Sequence, residues 1–259
     1  CMITAASNSR IKRLVQLNQK SKLRRTEDVF LAEGVKMFLE APREQLQEVY
    51  VSESFLEKCS CREHLEEVGY EVVSDSVFSK ISDTCTPQGV LCVLKQFHYN
   101  IEEMLRDKAP LFLLLENIQD PGNLGTMLRT GEGAGVSGII MSRDTVDLYN
   151  PKVIRSTMGS IYRVPFYYAD DFAAAVHQVQ QAGVSVYAAH LRGKNSYACQ
   201  DYTKGTAFLI GNEGNGLREE TAELADCYIR IPMEGKVESL NAAVASSILM
   251  YEAHRQRAI

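Results

Sequence analysis

The stretch Gly211-Asn-Glu-Gly-Asn-Gly216 follows the apolar run Phe208-Leu-Ile210, and its residue types and spacing could hold a ligand. A glycine-rich turn leaving a buried strand lets the backbone approach a bound group closely. The spacing is G-x-x-G-x-G. That is not the dinucleotide pattern G-x-G-x-x-G, and no Gly-Lys-Ser/Thr of a phosphate loop follows. Glu213 sits among the glycines, where a carboxylate repels phosphate but tolerates a cationic or zwitterionic group. The chemistry implied is a nucleotide-like ligand without a phosphate chain.

Two other segments put polar residues directly after apolar runs. In Glu116-Asn-Ile-Gln-Asp-Pro-Gly-Asn-Leu-Gly-Thr-Met-Leu-Arg129, the turn Asp120-Pro-Gly-Asn123 leads into a helical pattern, with Asn123 as its expected N-cap. Arg129 then falls about 140° around the helix from Leu124, off the apolar stripe. Read alone, these two are a cap and a surface residue. In Ile231-Pro-Met-Glu-Gly-Lys-Val-Glu-Ser-Leu-Asn-Ala242, Ser239 is the expected cap of the last helix, and Ile231–Met233 and Ser239–Asn241 form a polar rim.

Taken together, the three segments resemble the three motifs of the SpoU/TrmH family of RNA ribose 2′-O-methyltransferases, in the SPOUT superfamily. Asp120-Pro-Gly-Asn-Leu-Gly125 with Arg129 matches the first motif, Gly211–Gly216 the second, and Ile231-Pro-Met233 with Ser239-Leu-Asn241 the third. Order and placement agree over about 150 residues. Asn8-Ser-Arg-Ile-Lys12 and Phe30-Leu-Ala-Glu-Gly34 resemble, more loosely, the family's substrate-binding domain.

The resemblance implies S-adenosyl-L-methionine as methyl donor, with Gly211, Ile231, Met233 and Leu240 lining its pocket largely through backbone groups. It also implies a deep trefoil knot near the C-terminus and a homodimer with its active site near the subunit interface. Physics alone would argue against a knot, because true knots are rare. The implied catalytic set is Arg129, Asn123, Glu213, Ser239 and Asn241. The family assigns activation of the ribose 2′-hydroxyl to the arginine matching Arg129. A guanidinium with a pKa above about 12 is a poor base at neutral pH, so we read Arg129 as gripping the target phosphate and stabilising the developing alkoxide. Glu213 is read as positioning rather than as a base.

The elements that must carry these segments are legible as hydrophobic pattern. After Pro110 the chain alternates strand and helix, with strands expected at Leu111–Leu115, Gly138–Met141, Val184–Ala188, Ala207–Ile210 and Tyr228–Ile231. Nearly continuous apolar strands are those of a parallel sheet covered on both faces. The closing helix reads as largely buried, with its stripe at Leu240, Ala243, Val244, Ser247, Ile248 and Tyr251. Before Pro110, residues 1–98 read as a small α/β unit. It has a helix through Ile11–Leu23, an apolar helix near Val35–Leu39, and strands at Glu48–Val51, Glu71–Val73 and Val90–Leu94. Residues 99–109, charged, weakly amphipathic at Ile101, Met104 and Leu105 and ending at a proline, read as a linker carrying a short helix. The expected fold class is α/β: a SPOUT-type parallel sheet flanked by helices over 110–259, preceded by a small α/β RNA substrate-binding domain over 1–98.

Bulk composition narrows the function further. A chain of 259 residues with 45% apolar content can bury a real core. No run approaches the roughly eighteen apolar residues of a membrane span, and the polar, basic N-terminus lacks a signal-peptide pattern, so a cytoplasmic location is expected. Cys1 before Met2 reads as a cloning remnant and receives no role. Seven scattered cysteines and five histidines show no ligand spacing, so free thiols and no metal are expected.

Net charge of −5 argues against indiscriminate polyanion binding, yet the first forty residues are locally basic. Lys12, Arg13, Lys22 and Arg25 are candidate RNA contacts there, and Lys152, Arg155 and Arg163 are candidate phosphate contacts later in the chain; the bland alternative for all of them is a solvated surface. Ribosomal RNA is the preferred substrate and transfer RNA the second. Competing readings are a catalytically silent RNA-binding protein on the same fold and an unrelated α/β enzyme using a phosphorylated nucleotide. The loop spacing and Glu213 oppose the last, and donor binding would separate the first.

Overall fold

The computed structural model describes residues 1–258. The chain begins with α1 (Ser9–Gln19), α2 (Ser21–Glu27), β1 (Val29–Glu33), α3 (Val35–Glu40), β2 (Leu46–Ser52), α4 (Glu53–Lys58), α5 (Arg62–Val68), β3 (Glu71–Val73), α6 (Asp75–Ile81) and β4 (Val90–Lys95). The strands form a sheet in the order β1-β4-β2-β3; β4 is antiparallel to both neighbours and β3 is parallel to β2. On α1, Ile11, Leu14 and Leu17 recur on one face and bury against Leu31, Tyr50, Val73, Phe78 and Val93.

The expected single helix over 11–23 is two helices, because the chain turns at Lys20, which is extended at φ −117° and ψ 103°. The turn buries Arg24, whose guanidinium donates to the carbonyls of Leu17 (2.7 Å) and Asn18 (3.2 Å). Strand β1 is additional to the expected strands. Its Val29-Phe-Leu-Ala run is short, and only pairing with β4 decides its conformation.

The chain continues with α7 (Ile101–Met104), β5 (Leu111–Leu115), α8 (Pro121–Ala134), β6 (Gly138–Ser142), α9 (Pro151–Thr157), β7 (Phe166–Ala169), α10 (Phe172–Gln181), β8 (Ser185–Ala189), β9 (Asn195–Ser196), β10 (Thr206–Ile210), α11 (Glu219–Ala222), β11 (Cys227–Arg230) and α12 (Ala242–Arg257). Seven strands form one parallel sheet, ordered β7-β6-β5-β10-β8-β11-β9. Leu111 to Leu115 are all fully buried, as a central strand covered on both faces requires. Strands β7 and β9 extend the sheet beyond the five expected ones.

Two compact units result: residues 1–97 with 147–162, and residues 98–146 with 163–258. The expectation from sequence differs at two places. The linker 99–109 carries the expected short helix, α7, but it is no free connector: Ile101 and Met104 bury in the core of the second unit with Phe112 and Ile140. The segment Asp147–Tyr162, expected in the C-terminal domain, belongs to the first unit. Tyr149 packs on Phe30 at 4.7 Å between ring centroids, the Tyr162 hydroxyl donates to the Met37 carbonyl (2.8 Å), and Arg24 pairs with Asp147 (2.7 Å).

This exchange makes a testable prediction. A fragment of residues 98–259 would strip the partners from Tyr149, Val153, Ile154, Ile161 and Tyr162, all buried in the whole chain. Each uncovered side chain of this kind forfeits about 1.5–3 kcal/mol. The fragment is expected to aggregate or to melt well below the full chain in circular dichroism and light scattering. A soluble fragment melting with the parent would refute the assignment.

Candidate active site

The second unit brings the three polar segments to the C-terminal ends of β5, β10 and β11 in one parallel sheet, with β8 between the last two. Strand β10 returns to lie between β5 and β8, so the loops after β5 and β10 are adjacent; the Glu116 amide donates to the Ile210 carbonyl at 2.9 Å. Open parallel sheets bind ligands at this edge, where the strand order reverses.

The loop after β10 is folded tightly on itself. Asn212 and Gly216 exchange backbone hydrogen bonds of 3.2 and 2.9 Å, and the Asn212 side-chain oxygen accepts from the Gly214 and Asn215 amides, both at 3.0 Å. A Cβ on Gly211 would lie 2.2 Å from the Leu217 nitrogen and 2.3 Å from the Gly216 carbonyl carbon, so only glycine fits there. The Asn212 amide nitrogen donates to the Asn117 carbonyl (2.8 Å), tying the loop to the end of β5. Asn117 itself adopts φ +54°, a conformation that asparagine tolerates better than most residues.

Glu213 reaches from the loop to the start of α8. Its carboxylate accepts from the backbone amides of Gln119 (3.1 Å) and Asp120 (2.9 Å) and from the Asn123 side chain (3.3 Å). Partial burial pushes the carboxyl up, but the Asp120 and Gln119 amides with the Asn123 side chain outweigh it and hold the group below its ordinary value. It is therefore an ionised carboxylate saturated with donors at neutral pH, which suits a structural anchor and not a proton acceptor.

Both expected helix caps are corrected. Asp120, not Asn123, caps α8, accepting from the Asn123 amide at 2.8 Å; Pro121 takes the first helical position, where its missing N–H costs nothing. Asn241, not Ser239, caps α12, accepting from the amides of Ala243 (2.8 Å) and Val244 (3.2 Å). Ser239 is exposed, and Gly235 to Leu240 form no helix. Freed from capping, the Asn123 oxygen accepts from the Asn241 side chain at 3.0 Å. A single polar chain, Asn241 to Asn123 to Glu213, thus links all three segments.

Helices α8 and α12 run side by side below that link. Thr130 and Ser247 share a hydrogen bond of 3.4 Å, and the Tyr251 hydroxyl lies 2.7 Å from where a Gly133 Cβ would be. The face of α12 that is buried holds Ala242, Ala243, Ser246, Leu249, Met250 and Ala253; of the expected stripe only Ala243 lies on it, Leu240, Ser247 and Ile248 being half-buried and Val244 and Tyr251 exposed. Val244 and Tyr251 are 49% and 47% exposed. Apolar residues lie all round this helix, so periodicity cannot choose a face, whereas small residues permit close approach to α8 and the sheet.

Arg129 lies on α8, exposed and without a hydrogen bond or ion pair among the described residues. Gly211, Ile231, Met233 and Leu240 are half-buried, the first directly after β10 and the other three in the segment between β11 and α12. Sequence reasoning missed the loop after β8, where His190 stacks on Tyr228 with ring centroids 4.8 Å apart and Leu191 is 60% exposed. It also missed Glu116, a carboxylate only 2% exposed at the end of an all-leucine-and-phenylalanine strand. A charged residue closing so apolar a run was the available signal.

In the first unit, Lys12, Lys22 and Arg25 are exposed on α1 and α2. Arg13 differs: it pairs with Glu27 (2.7 Å) and Glu48 (2.9 Å) and ties the fold together. Lys152 is exposed on α9, while Arg155 is committed to Asp83 at 2.9 Å. In the second unit, Arg163 pairs with Glu132.

A parallel sheet with a folded Gly-Asn-Glu loop and a capped helix meeting at one edge defines the class of SPOUT methyltransferases, and solved structures agree. The AdoMet-bound rRNA methyltransferase from Sinorhizobium meliloti is 31% identical, with a TM-score of 0.86 over 98% of this chain and 97% of that one. The SpoU methyltransferase AviRb from Streptomyces viridochromogenes in complex with AdoMet is 26% identical, with a TM-score of 0.88 over 97% and 98%. The 23S rRNA (guanosine(2553)-2′-O)-methyltransferase RlmP of Bacillus subtilis is 32% identical over 96% of this chain and 97% of its own length. The MRM3-like substrate binding domain matches residues 8–92 and the SpoU rRNA Methylase family residues 110–251. This chain belongs to the SpoU rRNA Methylase family.

Proposed function

We propose that this protein transfers the methyl group of S-adenosyl-L-methionine to a ribose 2′-hydroxyl of ribosomal RNA. The observation that carries the reading is the Asn241–Asn123–Glu213 chain, which holds the three loops of one sheet edge in a single arrangement around Gly211. The residues present fit this donor. The glycine loop is closed to a side chain at Gly211, its carboxylate is compatible with a sulfonium and not with a phosphate chain, and Leu191 and Val237, each 60% exposed, offer apolar surface to an adenine ring. Gly211, Ile231, Met233 and Leu240 would hold the donor.

When bound, the donor supplies an electrophilic sulfonium methyl. The protein's residues do the rest. Arg129, with no partner among the described residues, is available to grip the phosphate beside the target ribose and to stabilise negative charge developing on the 2′-oxygen. Asn123 and Asn241 hold Glu213 and the start of α12 in place, and Ser239 stands exposed beside them to meet the RNA. Alignment of the attacking oxygen with the methyl carries much of the acceleration, because a fixed geometry removes the entropic cost of encounter.

The reading includes a cytoplasmic homodimer. Val244 and Tyr251 leave apolar surface uncovered on α12 beside α8, which supports pairing through these helices. It also includes a knotted C-terminal path, supported by the position of β10 between β5 and β8 and by the return of α12 onto α8.

The decisive experiment maps ribose methylation in RNA from a strain lacking the gene against its parent. Loss of one 2′-O-methyl group from ribosomal RNA is expected; loss confined to a transfer RNA would move the substrate, and an unchanged map would refute the activity.

Binding of RNA by the first unit is tested separately. Lys12→Glu, Lys22→Glu and Arg25→Glu together, leaving the structural Arg13 intact, should weaken RNA binding and flatten its salt dependence by about 0.7–0.9 for each phosphate no longer neutralised. Donor affinity should not change. An unaltered RNA affinity and slope would return these residues to an ordinary solvated face.

A further inference from the structure

The end of β5 holds both limbs of the glycine loop. The outgoing limb is tied through Asn212 to the Asn117 carbonyl at 2.8 Å. The returning limb is tied by the side chain of the preceding residue, Glu116, whose carboxylate accepts from the Arg218 backbone amide at 2.8 Å and from the Thr221 hydroxyl. The Arg218 guanidinium lies 3.5 Å from the same carboxylate and also pairs with Asp144, from the loop after β6. Arg218 directly follows Leu217, and the Leu217 nitrogen is the atom that closes over Gly211. Holding Arg218 therefore fixes the backbone that shapes the loop interior.

Burying a carboxylate is costly unless donors and an opposite charge compensate it, and here three separate groups from the returning limb do so. With 2% exposure and both oxygens engaged, Glu116 touches neither RNA nor solvent. It has no route to act on the reacting atoms itself.

We infer that Glu116 is a positioning residue that sets donor affinity by clamping the returning limb of the Gly211–Gly216 loop through Arg218 and Thr221. This rests on the reading that the loop holds the donor. A glutamine at 116 keeps the shape but has one acceptor oxygen for two donors, and it turns an N–H toward one of them.

The test uses the full chain and S-adenosyl-L-methionine in calorimetry and steady-state kinetics. Glu116→Gln is expected to raise the donor Kd and donor KM at least about tenfold, the effect of losing a charged hydrogen bond, with the RNA KM unchanged. A merely structural role would lower the amount of active protein, and so kcat, without moving KM. Thr221→Val should weaken donor binding less, and the double variant should equal Glu116→Gln, because both changes break one clamp.

A folded Glu116→Gln protein that binds the donor like the parent overturns the inference, as does additivity with Thr221→Val. If Glu116→Gln does not fold, Thr221→Val decides: weaker donor binding with parent-like melting supports the clamp, and parent-like binding overturns it. Gly211→Ala separates the underlying reading. If that variant loses the donor while Glu116→Gln keeps it, only the role of Glu116 falls; if Gly211→Ala also keeps it, the loop is not the donor site.

Discussion

Arg129→Ala is expected to bind S-adenosyl-L-methionine like the parent and to lose about 100- to 1,000-fold in turnover, the loss typical of removing one donor to a developing negative charge. The expectation follows from its isolation. Three of the other candidates are committed: Glu213 to two backbone amides, Asn123 to Glu213 and Asn241, and Asn241 to the first turn of α12. Arg129 alone among the candidate catalytic side chains presents charge to solvent with no internal partner among the described residues. Its removal should leave the fold and the donor loop unchanged while depriving the ribose–phosphate of its cationic contact. Calorimetry beside a methyl-transfer assay checks both halves. Near-normal turnover would remove Arg129 from the mechanism, and failure to bind the donor would reassign it to the donor pocket. Arg129→Lys offers a sharper reading: it restores charge but not the bidentate fork, so partial recovery would identify charge as one component and geometry as the other.

Gly211→Ala should abolish donor binding within the calorimetric range, a loss of at least about 100-fold, because overpacking here displaces backbone rather than a flexible side chain. The added methyl would sit 2.2 Å from the Leu217 nitrogen and 2.3 Å from the Gly216 carbonyl carbon. No rotamer change relieves such a contact. The loop must open, breaking the Asn212–Gly216 pairing and shifting the Glu213 carboxylate away from the Gln119 and Asp120 amides. Gly214, where an added methyl would meet nothing nearer than 3.6 Å, is the matched control and should accept alanine with little change. Equal effects at the two glycines would mean that loop composition, and not the closure over Gly211, governs binding.

Much of the second unit is readable without coordinates. The strand Leu111–Leu115 falls where its apolar run predicts it, and the other expected strands lie within a residue or so of their observed ends. Runs of large apolar residues bounded by glycine, proline and polar clusters specify buried parallel strands by burial alone. The three polar segments are equally visible, since each directly follows such a run. Cap positions are not. Both Asp120 and Asn123, and both Ser239 and Asn241, are good capping residues, and the choice depends on which backbone amides are left unpaired once the preceding loop is placed. The buried face of α12 escapes periodicity for a related reason. With apolar or small residues on every side, only the surface of α8 and the sheet decides which of them are covered.

Roles of single charged residues divide along the same line. Lys12 and Arg13 are neighbours of the same sign, yet one is exposed and the other is bound to Glu27 and Glu48 from distant parts of the chain. Charge and spacing give no basis for telling them apart. Glu116 stands out in the sequence as a charge closing an apolar run, but its role does not, because its partners, Arg218 and Thr221, lie about a hundred residues away.

Local pattern was sufficient for a parallel α/β sheet, for the departure of the glycine loop from both phosphate-binding spacings and for the three polar segments at strand ends, because hydrophobic runs, glycine spacing and an out-of-place carboxylate are properties of short stretches of chain. Folding in three dimensions was needed to settle that Asp147–Tyr162 packs with the first unit, that Asn123 and Asn241 join to reach Glu213, and that Glu116 holds the returning limb of the loop. Each of those outcomes depends on contacts between residues distant in the chain, which no local pattern can encode.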